Sequence, residues 1–214
     1  MTKQEVIDKF HLYTSDSTEM SVSEESDLFE KIVQKIAMDR PWELLKSPAT
    51  GTILNSGTVY YITLPTDFGY LIENNQATDN SVGITNNASP KVIFVGSDYT
   101  PYQVVNFSDR RQHRNSNNAY LDLANNRIVF TGNPTGNGST YEFDYIKFPA
   151  ILALGDTLVF PPSRFGEMVS HGMAIDEFMI EQFPKVQSYA PENQAKFNSY
   201  MADLAYYNSM LLNN

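Results

Sequence analysis

The densest group of chemically competent side chains in this sequence is Asp109-Arg110-Arg111-Gln112-His113-Arg114, three arginines and a histidine in six residues between Phe107 and Tyr120. Arginine presents a planar fork of donors that matches carboxylates and phosphates. The run therefore reads either as a contact for phosphate or an acidic protein partner, or as a solvated loop in which Arg110 or Arg111 pairs with Asp109 or Asp122. The three histidines, His11, His113 and His171, lack the spacing of a metal site. His11 and His171 fall in amphipathic helices, where a packed or half-exposed imidazole is the ordinary outcome. Gly132-Asn133-Pro134-Thr135-Gly136-Asn137-Gly138-Ser139-Thr140 follows a strand and ends in Ser-Thr, as a phosphate-binding loop does. It has no lysine and a strand follows it, so no helix N-terminus would face an anion, and a hairpin loop is the better reading. No Gly-x-Ser-x-Gly elbow occurs, and Ser170 beside His171 cannot act as nucleophile and base, because adjacent side chains on a helix diverge. These residues point to no catalytic centre, no metal and no cofactor.

The elements that would carry these groups change period along the chain. Thr2 with Glu5 and Ser21 with Glu24 form capping boxes ahead of two apolar stripes: Val6, Ile7, Phe10 and Tyr13, then Leu28, Ile32 and Ile36 beside Phe29, Val33 and Ala37. Asp39-Arg40-Pro41 should end the second helix. From Arg164 to Phe183 the sequence reads as a helix apolar nearly all round, which is normally buried on several sides. Pro184 stops it, and Pro191 starts a last helix with Phe197, Tyr200, Met201, Leu204, Tyr207 and Leu211 in a stripe. The expected fold is α+β: a four-helix bundle made by residues 1–50 with 160–214, and residues 51–159 inserted as an antiparallel sheet or small sandwich. Six short segments there, Val59 to Leu64, Lys91 to Val95, Gln103 to Phe107, Ala119 to Leu123, Arg127 to Thr131 and Tyr141 to Lys147, are rich in β-branched and aromatic residues and bounded by turn formers. Asn125-Asn126 is placed as a tight turn and Asn74 to Pro90 as a mobile surface loop.

With 214 residues, 42% hydrophobic content and no cysteine, the chain can bury a core, and a disulfide scaffold or cysteine-ligated zinc is excluded. No apolar stretch approaches bilayer length, and Met1-Thr2-Lys3-Gln4-Glu5 opens into a helix with no signal-peptide core, so a soluble protein made in the cytoplasm is expected. The formal charge is −10, with Asp and Glu outnumbering Lys and Arg by 16 to 9 in the helical ends and by 9 to 6 in residues 51–159. Such a surface disfavours binding to duplex phosphate.

Four strings together resemble the adaptor proteins of phage head-tail connectors, the group that includes tail tubular protein A of short-tailed phages. They are Phe10-His11-Leu12-Tyr13-Thr14-Ser15-Asp16, Asp39-Arg40-Pro41-Trp42-Glu43-Leu44-Leu45, Leu64-Pro65-Thr66-Asp67-Phe68 and Phe107-Ser108-Asp109-Arg110-Arg111. The resemblance implies a non-catalytic virion protein, a ring of commonly twelve copies docked below the portal protein and joined to the next tail or nozzle component. Double-stranded DNA would pass through its channel without specific binding, and no membrane is involved. It further implies that the C-terminal segment reaches the portal, with Tyr206, Met210, Leu211 and Leu212 as contacts, while Arg110, Arg111 and Arg114 are candidates for contacts between subunits or with the tail. Trp42, Pro65 and Phe68 read as packing at the junction of helical and β parts. A carbohydrate- or receptor-binding tail module is the alternative: it accounts for the sheet, the Asn-rich loops and the tyrosines, but not for the helical ends.

Overall fold

Both capping boxes form as the sequence spells them. Thr2 and Ser21 each accept from the backbone of the glutamate three residues on, and Glu5 and Glu24 reach back to the cap backbone. They open α1 (Lys3–Tyr13) and α2 (Val22–Asp39). The computed structural model describes residues 1–14, 20–72, 91–113, 117–134, 139–158, 165–176, 179, 181 and 183–212. The Asn74 to Pro90 loop, Arg114 and part of the Gly132 to Thr140 loop lie outside these residues. The chain divides into a helical unit, Met1–Leu45 with Phe148–Asn214, and a β unit, Lys46–Lys147.

In the helical unit α3 (Phe165–Ala174) packs against α1, α2 and the long last helix, which follows the four-residue α4 (Pro184–Gln187) as α5 (Ala190–Leu212). Nine of the ten α3 residues are buried, which is why its sequence is mostly apolar. Gly172 makes the approach possible: a Cβ there would stand 2.6 Å from Ile32 Cγ2 and 3.0 Å from the Phe197 ring. Near the N-terminus the buried Lys3 satisfies all three of its donors, on Ser26 Oγ at 2.8 Å, Glu30 Oε1 at 2.8 Å and the Leu152 carbonyl at 3.0 Å.

The β unit is one nine-stranded mixed sheet, nearly closed like a barrel. Its strands are β1 (Lys46–Thr52), β2 (Leu54–Ser56), β3 (Val59–Thr63), β4 (Phe68–Leu71), β5 (Val92–Val95), β6 (Thr100–Val105), β7 (Asn118–Asp122), β8 (Arg127–Phe130) and β9 (Thr140–Lys147). The order is β1-β9-β5-β6-β7-β8-β3-β2, with β4 also on β9. The β6–β7 pair is parallel, and every other pair is antiparallel. Ile53, Ile62, Ile93, Ala119, Ile128 and Phe143 are among the residues of its core. Asn126 takes the left-handed conformation, φ 50° and ψ 50°, in the β7–β8 turn, where asparagine is tolerated.

This architecture corrects the expected one. The chain is mostly the barrel-like sheet accompanied by helices, and it is not a four-helix bundle carrying an inserted antiparallel sheet or sandwich. Two physical reasons account for the difference. A bundle of four equivalent helices shares its core among them, whereas here a ten-residue helix itself occupies the middle. The sheet gains β1, β2 and β4, which the pattern of apolar runs did not mark, and the connection from β6 to β7 crosses over, which makes the sheet mixed.

Candidate functional site

The last two turns of α5 present the candidate contact surface. Leu204 and Asn208 face inward: Leu204 is fully buried, and Asn208 Oδ1 accepts from the Glu43 backbone N–H at 2.7 Å. Tyr207 lies 6.2 Å from the Phe165 ring. Tyr206 and Met210, one turn apart, consequently point away, 69% and 48% exposed. Leu211, expected on the inner stripe, is 38% exposed. Leu212 ends the helix, and its side chain lies outside the description.

The arginine cluster sits on the β6–β7 connection of the β unit. Arg110 stacks its guanidinium 3.6 Å from the Phe107 ring centroid, with Tyr120 at 6.0 Å, and donates to the Phe107 carbonyl. None of the pairings of Arg110 or Arg111 with Asp109 or Asp122 is found among the described residues: Asp122 holds Arg127 at 2.9 Å, and Asp109 accepts from Asn106 and Ser108. Arg111 is exposed. Half-exposed Phe107 and the stacked Arg110 therefore make a small aromatic and cationic platform.

The three residues read as junction packing fall in different units. Trp42 is fully buried in the helical unit, where its Nε1–H donates to the Ile36 carbonyl at 2.7 Å and Arg40 lies over its ring. It locks the end of α2 after the Pro41 break. Pro65 and Phe68 belong to the β unit: the Phe68 N–H donates to the Pro65 carbonyl at 3.1 Å, Phe68 stacks on Tyr145, and the Tyr145 hydroxyl donates to Asp67 at 2.7 Å.

Sequence reasoning missed a polar centre joining α1, α3 and α5. The Glu167 carboxylate accepts from Lys9 and, at 2.8 Å, from the Tyr200 hydroxyl. These donors, Lys9 first, hold Glu167 below the usual carboxylate range. Burial first and Glu167 second push Tyr200 up to about 12. His171, only 5% exposed, stacks on Tyr13 with centroids 4.2 Å apart and planes at 7°. Asn193 Nδ2 donates to the Tyr189 carbonyl, so Asn193 Oδ1 faces His171 at 2.8 Å and fixes Nδ1 as the donor. Burial pulls the His171 pKa down, which favours the neutral ring. A cavity of about 380 Å³ adjoins these side chains. Their polar atoms bond mainly to one another, and the arrangement works as a clamp between helices. Glu167 and His171, four apart in a mostly apolar helix, were the available signal.

Among the described residues no group of three or more His, Cys, Asp or Glu is placed to hold a metal, and no helix is long and apolar enough to cross a membrane. No family model and no curated protein matches the chain.

Proposed function

We propose that the chain is a structural virion subunit of the head-to-tail connector adaptor type, which forms a ring below a portal protein, joins it to the next tail component and leaves a path for DNA. The observation that carries this reading is the outer face of α5, where Tyr206, Met210 and Leu211 stand exposed on a helix that Leu204 and Asn208 already secure. Aromatic residues and methionine are favoured where partners meet, and this face contributes little to the subunit's own core. The acidic excess of the helical ends adds support, because it lets duplex DNA pass without sticking. The Arg110 and Phe107 platform is the corresponding candidate for a neighbouring copy or a tail component.

The test is co-expression with the portal protein of the same virus, read by pull-down and electron microscopy. The Tyr206→Asp/Met210→Asp double variant should melt like the wild type yet lose co-purification by at least roughly tenfold, as expected when anchor residues are removed. Unchanged occupancy of the portal by that variant refutes the assignment of this face. A wild-type chain that never joins a portal or a virion refutes the connector reading itself.

A further inference from the structure

Outside the residues used above, the β unit carries a groove of about 540 Å³ across β1, β9 and β5, a volume in the range of small-molecule sites. Register shows how it is built. Thr50 lies opposite Glu142, which lies opposite Phe94, and in the next row facing the same way Thr52 lies opposite Thr140. The Gly96 N–H donates to the Thr140 carbonyl at 2.9 Å and continues that second row. Successive residues of a strand face opposite sides, so these side chains share the outer face and put hydroxyls and one carboxylate side by side. Gly96 lines the groove without a side chain.

Tyr99 forms the wall. It is 60% exposed, and its ring meets Phe94 edge-on at 6.3 Å. Its backbone is left-handed, φ 52°, a conformation unfavourable for a bulky residue, and it follows Gly96 at φ 75° in a turn closed by the Tyr99 N–H to the Gly96 carbonyl. The turn thus holds a large aromatic face upright beside a row of hydroxyls.

The geometry points to a binding site for a neutral sugar, which goes beyond the connector reading and does not depend on it. A pyranose offers an apolar C–H face and a ring of hydroxyls. The first would lie against Tyr99, and the second would donate to Glu142 and exchange hydrogen bonds with Thr50, Thr52 and Thr140. With one carboxylate and no cation among the described lining residues, the groove selects against sugars that carry acid groups.

Saturation-transfer NMR on the full chain decides the matter, with glucose, galactose and N-acetylglucosamine as monomers and maltotriose and N,N′,N″-triacetylchitotriose as oligomers. At least one should receive transfer at millimolar concentration. A trimer binding more tightly than its monomer marks a polysaccharide segment as the ligand, and equal binding marks a free sugar. Tyr99→Ala should weaken the interaction roughly tenfold, Tyr99→Phe should preserve it, and Glu142→Gln should weaken it by about tenfold or more. Transfer to none of the five probes, or binding that Tyr99→Ala leaves intact, overturns the proposal. So does glucuronate binding as well as the neutral sugars. Portal capture is unaffected by any of these results, so the two proposals fail separately.

Discussion

Replacing Gly172 by alanine tests the central packing of the helical unit. A Cβ at this position would approach Ile32 Cγ2 to 2.6 Å and two Phe197 ring carbons to 3.0 and 3.3 Å. Phe197 is partly exposed and can yield. Ile32 is a nearly buried β-branched residue on α2, and its stiff side chain cannot swing aside. Overpacking of this kind costs about 1–3 kcal/mol, while alanine in place of glycine within a helix returns about 1 kcal/mol. The net expectation is a loss of up to about 2 kcal/mol, a fall in Tm of up to roughly 8 °C for a chain of this size. Calorimetry or circular dichroism on heating provides the measurement. Gly155→Ala is the control, because nothing stands within 4 Å of its added Cβ, and its Tm should stay level or rise slightly. A Gly172→Ala variant that melts above the wild type would refute the seating of α3 between α2 and α5.

Two further outcomes are expected. Trp42→Phe removes the donor to the Ile36 carbonyl at a fully buried position and should cost about 1–2 kcal/mol in denaturant unfolding; an unchanged midpoint would show that the lock on α2 is dispensable. Stability should also vary with pH in three windows. His171, lowered by burial, supplies stability that is present above 6.5 and declines as pH falls below it, because the unfolded chain takes the proton first. Glu167, lowered mainly by Lys9, loses its contribution at more acid pH, below 4.5. Tyr200 loses its contribution as pH rises from 10 toward about 12, a loss of about 1–2 kcal/mol after solvent screening. Urea midpoints across these windows should show His171→Asn reducing the loss below pH 6.5 and Tyr200→Phe reducing the alkaline loss, a loss shared with Tyr102, Tyr141 and Tyr145, which burial also raises; a variant that leaves its limb unchanged disproves that assignment.

What could be read from the sequence was local. The capping boxes, the helix break at Pro41 and the left-handed Asn126 are each set by residues within a few positions of one another, and all are present. β1 was hidden because Lys46-Ser-Pro-Ala-Thr-Gly-Thr lacks the composition of a strand. Pro48 is tolerated because β1 ends the sheet order and, among the described residues, pairs on one side only. Gly51 is there because the Tyr141 ring lies where its Cβ would be, with the hydroxyl oxygen at 2.9 Å from that point. Such a reason is visible only once β9 has been paired with β1. The apolar surround of α3 did announce burial on several sides, but not which helices would cover it. The polar centre was out of reach for the same reason, since Lys9 and Glu167 are 158 positions apart.

The candidate contact face on α5 follows from how that helix divides its work. Its first two thirds are committed to the fold: Asn193 orients His171, Tyr200 binds Glu167, and Leu204 fills the core. Its end is tied by Asn208, which accepts from the Glu43 N–H, and by the Tyr207 ring beside Phe165. Those ties lie on one side of the helix. Tyr206 and Met210 on the other side leave apolar surface exposed, and water penalises that exposure. Substitutions there should consequently act on assembly alone, whereas substitutions at Asn208 or Leu204 should act on folding first and on assembly only as a result.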